Sequence, residues 1–122
     1  MSWQFNETEA VFIQIANRLR GEIISGKYLP GEQLPPVRKL AMDAAVNPNT
    51  MQKALAYLED EGLLHAKGTV GRFVTDDNDV LTAAGNKMRR EAVRRWLSEA
   101  SSIGITADRL ISYIKEEENN NE

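Results

Sequence analysis

Between Pro36 and Leu58 two apolar stripes of helical spacing predict two helices only three residues apart, and no other feature constrains the fold as tightly. The first stripe, Val37, Leu40, Ala41 and Ala44, predicts a short helix from Pro36 to Ala44. Pro36 suits the first helical position, where a missing N–H costs nothing. After a break at Ala45-Val46, Asn47 is a good N-cap and Pro48 a good first residue for the next helix. Met51, Ala54, Leu55 and Leu58 form its buried stripe, and Gly62 ends it. Two helices with so short a connection, the second capped by a small polar residue, make a helix-turn-helix pattern.

The flanking segments extend the pattern. Phe12, Ile15, Ala16, Leu19 and Ile23 predict a preceding helix from Glu9 to Ser25, capped by Asn6 or Thr8 and ended at Gly26. Pro30-Gly31 is a turn signal, and Leu34 and Pro35, each before a proline, are pushed into extended conformation. Leu63–Lys67 and Arg72–Thr75 flank the glycines of "GTVG" and predict a β-hairpin. Helix, helix-turn-helix and hairpin, in that order, give a mainly α winged helix-turn-helix with a small β wing. A long helix opened by Asn78 or Asp79 follows to Ser101, with a break at Gly104 and a last helix capped by Thr106. The domains expected are 1–77 for the winged helix and 78–117 for a helical dimerisation segment, with 118–122 a disordered tail, since "KEEENNNE" is polar and charged throughout. No internal repeat is visible.

The second helix of the pair explains the polar opening "NPNTMQK". Burial of Met51, Ala54 and Leu55 leaves Asn49, Thr50, Gln52 and Lys53 exposed in the first turn and a half. In a helix-turn-helix those residues meet base edges in the major groove. Asn and Gln can donate to and accept from adenine, Lys can reach guanine or phosphate, and Asn47 stands beside them at the helix start. The net charge of −3 argues against nucleic acid only until its distribution is considered. Residues 1–75 are neutral overall and 76–122 carry the excess acid, while Arg38, Lys39, Asp43 and Lys53 leave the helix-turn-helix locally basic. Charges beyond about 8–10 Å are screened at ordinary salt, so distant acids decide little.

Gly21 to Val74 resembles the DNA-binding domain of GntR-family bacterial transcription regulators, through the spacing "G…LPG..LP.VR.LA…V…T…AL..L..EGLL…G…G.FV". The short tail and the "NPNT" before the third helix resemble the YtrA subfamily. The resemblance implies a DNA contact for Arg38, a recognition-helix start at Thr50, and a wing around Gly71 laid along the minor groove. Two departures from the family pattern stand out. Pro36 replaces a serine, and in the wing Thr69 replaces the first glycine, with Gly68 one place earlier, while Arg72 replaces a threonine and adds a cation beside the groove. Lys67 and Arg72 are expected to anchor phosphates, as is Lys39 next to Arg38, although Arg38 and Lys39 would otherwise read as an ordinary solvated helix face.

Leu81, Ala84, Met88, Ala92 and Trp96 mark one apolar stripe, and Leu110 and Ile114 another, on a segment too small for its own core. A second copy of the chain is the economical cover, so these residues are expected at a homodimer interface. Cysteine is absent and His65 is the sole histidine, with no partner spacing for a metal and no catalytic spacing for an enzyme. No cofactor is expected. No apolar run approaches a membrane span, and the first ten residues lack a signal peptide's basic and apolar regions, so the expected place of action is the cytoplasm. The function expected is a sequence-specific DNA-binding regulator, a repressor binding an inverted repeat as a homodimer, with any small effector unidentified. The alternative is a winged helix used for protein–protein contact.

Overall fold

The computed structural model describes residues 3–121, so Glu122 at the end of the expected tail lies outside the described residues. The element order is α1 (Val11–Ile24), α2 (Val37–Ala44), α3 (Pro48–Asp60), β1 (Leu64–Lys67), β2 (Gly71–Val74), α4 (Asn78–Ser102) and α5 (Ala107–Asn120). It is mainly α with one antiparallel hairpin, in which Leu64 pairs with Val74 and Lys67 with Gly71. The chain divides into two compact units, Met1–Gly85 and Asn86–Glu122.

In the first unit α3 packs against both α1 and α2. Ile15, Ala16, Leu19 and Ile23 of α1 meet Leu40, Ala41 and Ala44 of α2 and Met51, Ala54, Leu55 and Leu58 of α3 in one buried cluster. These are the stripes that helical periodicity picks out. Leu34, Leu63, Leu64 and Val74 close the cluster on the wing side. Trp3 and Phe5 of the N-terminal segment pack on it too, and the Arg18 guanidinium lies 4.1 Å from the Trp3 ring centroid.

The helix ends follow local chemistry, with some departures from expectation. α3 is capped as expected, the Asn47 side chain accepting from the Asn49 N–H at 2.7 Å with Pro48 in the first turn. Gly62, at φ 82°, takes the left-handed position after it, and the Leu63 N–H donates to the Leu58 carbonyl at 3.0 Å. α1 starts later than expected and without a side-chain cap at Ala10. Asn6 instead accepts from the Thr8 N–H and hydroxyl, a local turn that competes with capping. Pro36 lies just before α2 rather than inside it, because its ψ of 150° is extended. Asp77, not Asn78 or Asp79, accepts from the first N–H groups of α4. α5 continues to Asn120 where a disordered tail from 118 was expected. Lys115 and Glu116–Glu118 are good helix formers, and no Gly or Pro interrupts them before that point.

The wing has a third participant that hairpin spacing does not reveal. Residues 31–34 run along the free edge of β2, with the Leu34 N–H on the Arg72 carbonyl and the Val74 N–H on the Glu32 carbonyl. Gln33 bridges Phe73 in the same register, and its amide donates to the Val70 carbonyl at the wing tip at 2.8 Å. Gly71 is required there. At its φ of 138° an added Cβ would also sit 2.7 Å from the Gln33 amide nitrogen.

The α2–α3 turn carries its own strain. Ala45 is left-handed, at φ 57° and ψ 46°. An L-residue there costs about 1–2 kcal/mol, while the extra chain entropy of glycine costs about 0.4–1 kcal/mol. Ala45→Gly should therefore raise stability by about 0.5 kcal/mol, and the β-branched Ala45→Val should lower it. Urea unfolding midpoints check the order. The reverse order would contradict a left-handed turn at this position.

Candidate nucleic-acid interface

The rotation of α3 about its axis is set by its buried stripe. With Met51, Ala54, Leu55 and Leu58 inside, Asn49, Gln52 and Lys53 stand exposed on the open side. Thr50, expected to be exposed, is half-buried, since it lies one turn before Ala54 on the flank of the stripe. Asn47 remains at the helix start with its oxygen committed to the cap, leaving its NH₂ free to donate. The N–H groups of the first turn add a site that favours a phosphate.

The cations divide into two groups. Arg38, the second residue of α2, is exposed and makes no ion pair or side-chain hydrogen bond among the described residues. Lys39 pairs loosely with Asp43 at 3.6 Å, both largely in solvent. The Lys53 Nζ lies 4.2 Å from the Phe12 ring centroid and the Lys67 Nζ lies 4.5 Å from that of Phe73, so each ammonium rests over an aromatic face in a cation–π contact, with no carboxylate partner among the described residues. Arg72 differs from the free cation expected on the wing. Its Nε donates to Glu59 and its Nη1 donates to the Gln52 side-chain oxygen at 2.7 Å. The guanidinium thus ties the wing to α3.

The same pairing answers the acid problem at the far end of α3. Glu59 is held by Arg72, and Glu61 by Arg20 of α1. Two of the three carboxylates that follow the basic region are therefore neutralised by their own chain. The wing tip, Gly68-Thr69-Val70, is a three-residue connection in which the Val70 N–H donates to the Lys67 carbonyl. Thr69 and Val70 are exposed at its apex. His65, on the outer face of β1, stacks on Phe73. Among the described residues no group of three or more His, Cys, Asp or Glu side chains is placed to hold a metal ion.

The residues expected at a subunit interface split between the two units. Leu81 and Ala84 pack, half-buried, on the core of the first unit and belong to it. They fall in the opening turns of α4, directly after Val74 and Thr75 bring the chain back to that core. In the second unit Met88, Ala92 and Leu110 are half-buried, whereas Trp96 is 56% exposed and Ile114 is 42% exposed. Val93, Leu97, Ile103, Ile111 and Tyr113 are exposed there as well. Val93 and Tyr113 carried a usable signal, the i, i+3 and i, i+4 spacing to Trp96, Leu97 and Leu110. No helix among the described residues is long and apolar enough to cross a membrane.

The sequence pattern of the bacterial regulatory proteins of the gntR family matches residues 13–74, about half of the chain. The HTH-type transcriptional repressor YtrA of Bacillus subtilis is 29% identical over 107 residues, covering 87% of this chain and 82% of YtrA. The structure of a GntR family transcriptional regulator from Listeria monocytogenes superposes with a TM-score of 0.84 at 29% identity, over 92% of this chain and 98% of that one. The DNA-binding domain of AraR in complex with operator ORE1 matches 62% of this chain and 93% of its own at 26% identity, with a TM-score of 0.54. With α3, the paired wing and these likenesses together, the chain belongs to the GntR family of bacterial regulatory proteins, as a YtrA-like, DNA-binding winged helix-turn-helix regulator.

Proposed function

We propose that the chain is a homodimeric repressor that occupies an inverted-repeat operator and excludes polymerase from it. The observation that carries this reading is the open polar face of α3. Asn49 and Gln52 stand exposed at its start while its other side is locked in the core. Those two side chains read base edges in the major groove, with Thr50 and Asn47 beside them. Arg38, Lys39, Lys53 and Lys67 meet phosphates, and Thr69 and Gly71 bring the wing tip to the minor groove. That YtrA of Bacillus subtilis is a repressor, and that the AraR domain was solved on an operator, support both the role and the ligand.

The second unit supplies the dimer. Trp96, Ile114, Met88, Ala92 and Leu110, joined by Val93, Leu97, Ile111 and Tyr113, offer an apolar surface that a second copy covers. The DNA-binding unit accordingly ends at Gly85 rather than Asp77, because Val80, Leu81 and Ala84 complete its core. The protein acts in the cytoplasm and without catalysis, and any small effector binds between the two copies.

Arg38→Ala should reduce affinity for all duplexes alike and lower the salt slope by about one phosphate's worth, since its guanidinium makes no ion pair or side-chain hydrogen bond among the described residues. The urea midpoint should stay unchanged; a marked loss of stability would remove Arg38 from the contact set. A chain ending at Gly85 should stay folded and become monomeric. Linked half-sites raise avidity by about 10²–10⁴, so the shortened chain should lose that factor on a full operator while keeping its half-site affinity. Sedimentation and titration check it, and a shortened chain that stays dimeric with full operator affinity would refute the role given to the second unit.

A further inference from the structure

Resting on the reading of α3 as the recognition helix, we infer that Arg72 determines which base Gln52 reads, by occupying the oxygen of its amide. Gln52 is exposed in the second turn of α3, and Arg72 lies 20 residues later on β2. The guanidinium reaches across with its Nη1 at 2.7 Å from the Gln52 oxygen. Its Nε is held by Glu59. The Arg72 and Glu59 side chains are only 20% and 30% exposed, so the arrangement stands before any DNA arrives.

The chemistry fixes the orientation of the amide. Arginine carries five N–H donors and no acceptor, so the Gln52 oxygen, and not its NH₂, must face Arg72. That choice alters the groove-facing half of the side chain. A free glutamine recognises adenine bidentately, accepting from N6 and donating to N7. A glutamine whose oxygen is turned to Arg72, with one of its two lone pairs taken there, leads outward with its two N–H groups. Guanine offers the matching pattern, two acceptors at N7 and O6 with no donor on that edge. Gln52 therefore prefers guanine to adenine at its position in the half-site. Arg72 is a positioning residue, acting through Gln52 without touching a base, and Glu59 acts one step further back by holding Arg72.

Site selection from a random duplex library, with the full-length wild type, Gln52→Ala, Arg72→Met and Glu59→Gln, tests this. Gln52→Ala identifies the position, as the base pair in each half-site whose preference collapses. The wild type should favour guanine there. Arg72→Met keeps the aliphatic stem and frees the amide, and should move the adenine-to-guanine ratio at that one pair toward adenine by about tenfold. Should Arg72→Met not fold, as judged by its thermal melt, Glu59→Gln serves instead and should move the same ratio in the same direction. A purely structural Arg72 would weaken every sequence alike and leave the ratio as in the wild type, which would overturn the inference while the DNA-reading role of α3 stands. Gln52→Ala with every position unchanged would overturn it as well. A wild type that enriches no site at all would instead sink the underlying reading of α3.

Discussion

The burial of one face of α3 is the constraint on which the interface depends. Met51 and Leu58 are fully buried, with Ala54 and Leu55 between them, against α1 on one side and α2 on the other. Each large apolar side chain removed from water stabilises the fold by about 1.5–3 kcal/mol, so rotating α3 by even one residue, 100° of turn, would expose several at once. The helix thus has one rotational setting. Asn49 and Gln52 are presented outward because their neighbours cannot be. The Asn47 cap and Pro48 then fix where the helix begins, which leaves its first N–H groups at the open end of that polar face.

The wing depends on α3 in turn. A two-stranded hairpin of four-residue strands is marginal alone. Here β2 is flanked on its second edge by residues 31–34, its tip is held by the Gln33 amide, and its middle is tied to α3 through Arg72. Two elements that would meet different grooves of a duplex are therefore one mechanical piece. Pairing Glu59 and Glu61 with Arg72 and Arg20 also lowers the negative charge at the far end of α3 in an acidic chain. Two of the three nearest carboxylates are neutralised locally, and the excess acid sits beyond residue 75.

Helical period and capping chemistry made α3, its stripe and its exposed polar start legible from residues 47–58 alone, because those signals are local. The hairpin was legible for the same reason, through the glycines between its strands. What local pattern could not carry was partnership at a distance. Arg72 looked like a free wing cation until Glu59 and Gln52 were found against it, 13 and 20 residues away. Leu81 and Ala84 share the helical stripe of Met88, Ala92 and Trp96, yet they cover the core of their own unit. Periodicity reports that a face is apolar and says nothing of what covers it. The strand-like run at residues 31–34 was likewise hidden, since its extended conformation could be expected from Leu34-Pro35-Pro36 but its pairing with β2 could not.

Methylation protection of guanine N7 on a selected operator probes the entry of α3 into the major groove most directly. With α3 docked twice by a symmetric dimer, protected guanines should fall in two clusters about 10 bp apart, one helical turn, on the same face of the duplex. A bound operator whose guanines all stay as reactive as in free DNA would contradict the docking of α3 in the major groove.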